Sequence, residues 1–251
     1  MIVGILPARY ASSRLPGKIL ADLGGKSVIQ RAYEQCMKAK VLDDVIVATD
    51  HPDIEAAVIA FGGKVVMTDP NHLSGTDRCA EALSKLNYQP SHVINIQGDE
   101  PFVQIEQLEL LAETLLQQKA EIATLIHPIQ TIEELWNPSI VKVVQATNGH
   151  ALYFSRQAIP FLRDIPKEEW LSHTTFYRHL GIYGFRADVL QSITQLKPSS
   201  LETSEMLEQL RWLEAGYQIK VGITHHQSIG IDTPEDLEKA LAYLAQVNIE
   251  E

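Results

Sequence analysis

Residues 2–18 read IVGILPARYASSRLPGK. Ile2 to Leu6 is apolar without polar alternation, as in a strand buried on both faces of a parallel sheet. After it comes a loop with three cations, Arg9, Arg14 and Lys18, and no acid before Asp22. Its small residues, Ala8, Ala11, Ser12, Ser13 and Gly17, let the backbone come close to a ligand. Beyond the loop, Ser27 to Ala39 places Val28, Ile29, Ala32, Tyr33, Cys36 and Met37 on one helical face. Strand, basic loop and helix form the first unit of an open α/β sheet, where ligands bind at the carboxyl ends of strands. Backbone N–H groups with Arg and Lys suit a polyphosphate. A solvated surface loop is the plain alternative. The loop is neither GxxxxGK[ST] nor GxGxxG, which argues against a P-loop kinase and an NAD dehydrogenase.

The same alternation continues. Val45–Ala48, Lys64–Thr68 and Val93–Ile96 read as strands; Asp53–Phe61, Gly75–Leu86 and Gln104 to about Gln118 read as helices. Gly62-Gly63 suits a left-handed cap after the first of these helices. The expectation is a Rossmann-like, mostly parallel sheet covered on both faces. The pattern then changes. Val141–Gln145 and Leu152–Ser155 flank Asn148-Gly149, a hairpin turn signal. A helix over Ser204–Ala215, a strand over Ile219–Ile223 and a helix from Pro234 to about Gln246 return to the first pattern. The expected organisation is an α/β core from 1–130 and 200–251, with a smaller mixed α+β lobe over 131–199.

The chain has 251 residues, 45% of them hydrophobic, and a net charge of −11. That acidity argues against a nucleic-acid partner but leaves room for a local basic phosphate site. Cys36 and Cys79 lie far apart in helical patterns among apolar neighbours, as buried reduced thiols do. The N-terminus reads as a strand, not a signal peptide, and no stretch approaches the ~20 apolar residues of a spanning helix. A cytoplasmic protein without membrane insertion is expected.

Two carboxylates stand out. In Val93-Ile-Asn-Ile-Gln-Gly-Asp-Glu-Pro101, Asp99 follows the carboxyl end of a buried strand, beside Gly98. It reads as a turn residue or as a Mg²⁺ ligand, since Mg²⁺ takes few carboxylates and keeps phosphate oxygens and water. In Ile229-Gly-Ile-Asp-Thr-Pro-Glu-Asp-Leu237, Thr233 suits a helix N-cap, Pro234 the first turn and Asp236 the third position. The cap has no need of Asp232, which is either a turn residue or a ligand. Ala48-Thr-Asp50 ends a strand and His72-Leu-Ser-Gly-Thr-Asp-Arg78 precedes a helix, so a base or ribose could sit beside them. Ser74 or Thr76 could equally be a helix cap.

An acidic sugar would need a cation and hydrogen-bonding groups. Arg156 in ALYFSR, Arg163, and His179 and Tyr183 in RHLGIYGFR are of those types, though each alone also fits a hairpin or core position. Glu202, Glu205 and Gln209 share one helical face and Met206, Leu207 and Leu210 another, which reads plainly as a solvated face opposite a core face. His225-His226 lacks further ligands nearby and reads as structural or surface.

The segments PARYASSRLPGK, ATDH, QGDEP, ALYFSR, RHLGIYGFR and GIDTPEDL, in this order, closely resemble the CMP-Kdo synthetases, sugar nucleotidyltransferases that join CTP to 3-deoxy-manno-octulosonate (Kdo). The resemblance covers nearly the whole chain. Asp77 stands where that family has glutamate, Ile19 where proline is common, and Asp164–Tyr177 matches poorly. The resemblance implies a fold of the nucleotide-diphospho-sugar transferase type. It implies CTP and Kdo as substrates, Mg²⁺ on Asp99 and Asp232, and catalytic roles for Arg9, Lys18 and Asp99. Nucleotide contacts would come from Ala8, Arg9, Ser12, Arg14, Lys18, Asp50, Ser74, Gly75, Arg78 and Gln97. Sugar contacts would come from Arg156, Arg163, His179, Tyr183, Glu202, Glu205 and Gln209. A homodimer serving lipopolysaccharide synthesis is also implied. The rivals are a cytidylyltransferase for 8-amino-Kdo or a sialic acid, a catalytically silent nucleotide-binding regulator, and an α/β oxidoreductase.

Overall fold

The apolar run of residues 2–6 becomes β1 (Ile2–Ala8), buried along almost its whole length. The computed structural model describes residues 1–10, 15–117, 120–226 and 230–250. The chain divides into two units, residues 1–109 with 227–251, and residues 110–226.

In the first unit β1 is followed by α1 (Val28–Cys36), β2 (Asp44–Thr49), α2 (Pro52–Ala60), β3 (Val65–Met67), α3 (Gly75–Ser84), β4 (His92–Asn95) and the start of α4 (Ile105–Gln117). Local chemistry sets the ends of these helices. Ser27 caps α1 by accepting from Gln30 N (3.3 Å). His51 Nδ1 caps α2 by accepting from Asp53 N (3.2 Å), with Pro52 at the first helical position. Gly62, at φ +79°, closes α2 in the left-handed conformation that glycine adopts without strain. The strands run parallel in the order β3-β2-β1-β4. Leu6 pairs with Val47, Ala8 with Thr49 and Ile5 with Asn95. The carboxyl ends of β1, β2 and β4 thereby all point to the same edge of the sheet. The expected parallel α/β core is present, and the alternation of strands and helices through α4 follows the sequence reading.

The second unit takes the rest of α4, then β5 (Ile122–Pro128), α5 (Ile132–Trp136), β6 (Lys142–Gln145), β7 (Ala151–Ser155), α6 (Trp170–His173), β8 (Tyr177–Arg186), α7 (Ala187–Ile193), α8 (Ser200–Glu205), α9 (Gln209–Glu214) and β9 (Ile219–Ile223). β5 pairs antiparallel with β8 and parallel with β9. The β6–β7 hairpin joins β8 through β6. β5 and β9 fall in this unit with the hairpin, so it is larger than the 131–199 lobe expected from the sequence. Helix α4 seats closely on its strands: a Cβ on Gly222 would lie 2.8 Å from Thr114 Oγ1, and one on Gly184 3.1 Å from Leu115 Cδ2. A satellite core gathers Ile129, Leu135, Trp170 and Phe176.

One expected helix is corrected. The segment 204–215 is not continuous: α8 ends at Met206, which has φ +53° and is 75% exposed, and α9 starts at Gln209. Glu202, Glu205 and Gln209 therefore do not share one helical face, and Met206 does not join the core. The β6–β7 hairpin turns at Asn148-Gly149 as the sequence signalled, with Gly149 at φ +78°. Ala146 N donates to His150 O (2.8 Å) and Gly149 N to Ala146 O (2.9 Å). The last helix, α10 (Pro234–Glu250), belongs to the first unit. Cys36 and Cys79 are free and buried as expected, and burial pushes the Cys36 thiol up to about 12, with Glu100 adding to the rise. Among the described residues no helix is long and apolar enough to cross a membrane.

Candidate functional site

In the first unit the loops that follow β1 and β4, the start of α3 and Asp232, just ahead of α10, line a cavity of about 290 Å³. Arg9 enters it directly from β1. Gly17, at φ +69°, turns the chain into one 3-10 turn over Lys18–Leu20, with Leu20 N donating to Gly17 O (2.8 Å). That turn presents Lys18 to the cavity. Gly98 brings the β4 loop against β1 so closely that a Cβ there would stand 2.9 Å from Pro7 O. Gly75 likewise lets α3 start against Pro7, with 3.2 Å to its Cγ.

Asp99 and Asp232, 133 positions apart in sequence, converge on one cation. Lys18 Nζ donates to Asp99 Oδ2 and, at 2.9 Å, to Asp232 Oδ1. Backbone and core explain the convergence. Ile231 N donates to Asp99 O (2.9 Å), and the Ile231 side chain is buried with Leu23, Val28 and Ala240. Asp236 then caps α10: its Oδ2 accepts from Asp232 N (3.2 Å) and Thr233 N (3.0 Å), and its own N donates to Thr233 Oγ1 (3.2 Å). The cap read from the sequence is present, and the Asp232 carboxylate is turned to Lys18 instead. Burial alone would lower the Lys18 pKa. The charge and hydrogen bond of Asp99, joined by those of Asp232, outweigh burial and hold it above the ordinary lysine value.

The remaining nucleotide candidates divide. Arg78 is 3% exposed; Nη2 donates to Asp50 Oδ2 (3.0 Å) and Nη1 to Thr68 Oγ1 (2.6 Å). Asp50 thus reaches the cavity through Arg78, and its buried Oδ1 has no hydrogen-bond partner in the structure. Ser74 lines the cavity and also caps α3, accepting from Asp77 N (3.1 Å), so both readings of that residue hold at once. Gln97 and Gly75 line the cavity. Ala8 is fully buried. Ser12 and Arg14 lie outside the described residues. His72 also lines the cavity, a position the sequence reading did not single out. Its place just before a helix start was the one signal available.

Among the described residues no three His, Cys, Asp or Glu side chains gather as a metal centre. The chemistry of the donor set nonetheless suits Mg²⁺. Two carboxylates already converge on a single cation, and Mg²⁺ completes such a pair with phosphate oxygens and water. Asp99 and Asp232 are the residues that could hold it.

The sugar candidates all belong to the second unit. Arg156 and Glu205 are brought together. Ser155 Oγ and Arg156 N donate to the Glu205 carboxylate (2.7 and 2.9 Å), while Arg156 Nε donates to Glu205 O (2.7 Å). His179 and Tyr183 are also brought together, with ring centroids 5.1 Å apart. His179 Nε2 lies 3.0 Å from Thr124 Oγ1, and burial pushes the imidazole down to about 3. The buried Tyr183 hydroxyl has no hydrogen-bond partner in the structure, and burial raises its pKa well above the ordinary tyrosine value. Gln209 is buried. Glu202 closes the α8 capping box with Ser199 and takes Arg211 Nε (2.7 Å) and Nη2 (2.5 Å). Arg163 is 89% exposed beside Asp164 and stands apart from these pairs.

A family model described as cytidylyltransferase matches residues 3–221. The chain is 55% identical over 247 residues to the 3-deoxy-manno-octulosonate cytidylyltransferase of Parabacteroides distasonis, covering 97% of this chain and 98% of that protein. It is 56% identical over 247 residues to the enzyme of the same name from Phocaeicola vulgatus, covering 97% of each. Among solved structures it is similar to a CMP:2-keto-3-deoxy-manno-octonic acid synthetase complexed with CTP. There the TM-score is 0.91 and the identity 43%, over 98% of both chains.

Proposed function

The chain belongs to the cytidylyltransferase family, and from that premise we propose that it transfers CMP from CTP to the anomeric hydroxyl of Kdo, releasing pyrophosphate. The observation that carries the phosphate half of this reading is the Lys18 ammonium bonded to Asp99 and Asp232 at the wall of a cavity that Arg9 and Arg78 also line. The Kdo half is supported by relatives of that name at 55–56% identity over nearly the full chain.

The reaction asks little covalent work of the protein. The anomeric oxygen attacks the α-phosphorus in line with the bond to the leaving oxygen. That P–O bond breaks, the hydroxyl proton passes to solvent, and pyrophosphate departs. Positioning and charge stabilisation then dominate. Arg9 and Lys18 supply positive charge for the triphosphate and for the departing pyrophosphate. Asp99 and Asp232 hold the Lys18 ammonium in place and are the residues proposed to hold Mg²⁺. When bound, the ion would supply charge neutralisation at the phosphates. Asp50 fixes the plane of the Arg78 guanidinium at the cavity wall. We also propose a cytoplasmic homodimer that makes CMP-Kdo for lipopolysaccharide synthesis.

The test is pyrophosphate release with CTP and Mg²⁺ across Kdo, 8-amino-Kdo and a sialic acid. Kdo is expected to support the highest kcat/KM. Preference for 8-amino-Kdo or a sialic acid would replace the acceptor and keep the cytidylyl donor. No release with any of the three would sink the proposal.

A further inference from the structure

His72 and Glu81 form a pair that the mechanism above does not use. His72 lines the nucleotide cavity, and its Nε2 meets Glu81 Oε2, with both side chains about one-fifth exposed. Glu81 lies three residues, about one turn, beyond Arg78 in α3, and it gathers the loop that leads into that helix. Asp69 N donates to Glu81 Oε2 (2.8 Å) and Lys85 Nζ approaches Oε1 (2.6 Å). Lys85 Nζ also donates to Met67 O (2.7 Å), and Arg78 Nη1 donates to Thr68 Oγ1 (2.6 Å). One face of α3 thus fixes the β3–α3 loop at Met67, Thr68, Asp69 and His72. Burial alone would raise the Glu81 pKa; Lys85, Asp69 N and His72 outweigh it and hold the carboxyl down at about 2. Glu81 is therefore an anion throughout the neutral range. An anionic acceptor on Nε2 places a proton there and leaves Nδ1 as the second ring nitrogen for a polar partner.

We infer that His72 is a further nucleotide-contacting residue, oriented for that task by Glu81, which acts as a positioning residue. The inference deepens the proposed function and rests on it, because the ligand it assigns to His72 is CTP. A histidine fixed by a carboxylate on one nitrogen offers the other in a defined direction, as in other sites where an outer carboxylate sets ring orientation. The chemistry fits a base or ribose group, or a phosphate oxygen, of the nucleotide.

Calorimetric titration of the full chain with CTP and Mg²⁺, without sugar, tests this. His72→Ala is expected to weaken CTP binding about tenfold, as for one lost hydrogen bond of moderate strength. Steady-state assays should show KM for CTP rising while KM for Kdo stays put. Glu81→Gln should weaken CTP binding in the same direction, since its amide nitrogen would face a donor. In the His72→Ala background Glu81→Gln should add almost nothing, because residues acting as a unit are non-additive. CTP affinity unchanged in His72→Ala, or equal rises in both KM values, would overturn the contact. Full additivity of the two substitutions would overturn the positioning role. If Glu81→Gln does not fold, His72→Gln against His72→Ala keeps the contact testable. Partial recovery of affinity in the glutamine variant is expected, and none would count against it. Wild-type chain that takes up no CTP would remove the function reading itself, an outcome distinct from tight wild-type binding that His72→Ala leaves intact.

Discussion

Replacing Lys18 with methionine removes the cation between Asp99 and Asp232 while keeping most of the side-chain volume. Each carboxylate is hydrogen-bonded to the same nitrogen, and a hydrogen bond of this kind spans about 2.8 Å, so the two accepting oxygens are at most about 5.6 Å apart. Two unit charges at that separation repel by about 3 kcal/mol at an effective dielectric of about 20, and by about 0.7 kcal/mol in bulk water. Asp99 is 25% exposed and Asp232 48%, so the cost lies between those limits. Lys18→Met should lose about 1–3 kcal/mol at pH 7 without divalent cation, or about 2–4 °C of Tm per kcal/mol in a chain of this size. Mg²⁺ should then raise the Tm of the variant by more than that of the wild type, because it would relieve the repulsion that the ammonium relieves in the native protein. Pyrophosphate release should fall by about 10²–10³-fold, as when a charge-stabilising donor is removed. Differential scanning fluorimetry with and without Mg²⁺ gives the first readout and a coupled assay the second. Equal Tm for variant and wild type without metal, together with equal Mg²⁺ shifts, would refute the shared-cation reasoning.

Asp232→Asn should cut turnover by about a hundredfold while leaving urea unfolding within about 0.5 kcal/mol of wild type. Asp236→Ala, four residues on, should do the reverse, losing about 1 kcal/mol of helix cap with a far smaller loss of turnover. Gly98→Ala would push a methyl against Pro7 O and should cost about 1–3 kcal/mol in thermal unfolding and weaken CTP binding in calorimetry. Burial alone would raise the Asp44 pKa, but Lys64, Tyr88 and Val45 N outweigh it and hold the carboxyl below its ordinary value. Its contribution is then fully present above pH ~4 and lost as pH falls through the lower folded value, so Asp44→Asn should flatten the acid limb of stability in urea titrations below about pH 4.

The first unit was legible because its signals are local. Apolar runs without alternation became β1, β2 and β4, and Ser27, Pro52, Gly62 and Thr233 mark helix ends by their own backbone chemistry. Asp232 was separable from its helix cap for the same reason. The convergence of Asp99 and Asp232 was not legible from spacing, since it depends on the Ile231–Asp99 backbone bond and the burial of Ile231. In the second unit the local signals mislead. The spacing of Met206, Leu207 and Leu210 mimics a helical stripe, but Met206 takes a left-handed conformation and breaks it. Strand β5, IATLIHP, is a short apolar run of the kind that periodicity cannot assign. Lys142 is fully buried because three carbonyls, of Asn137, Ile140 and Arg156, surround its ammonium at 2.7–2.9 Å. No sequence pattern announces that arrangement. Glu202, a sugar contact only by resemblance, bonds Ser199 and Arg211 in this structure.

Asp99, with Lys18 and Asp232, is proposed to handle the phosphates of CTP during transfer to Kdo. The direct measurement is pyrophosphate release from CTP and Kdo by Asp99→Asn beside wild type, with CTP binding followed calorimetrically on the same preparations. The account predicts release reduced by at least about a hundredfold in a folded variant. Wild-type rates of release in Asp99→Asn would contradict it.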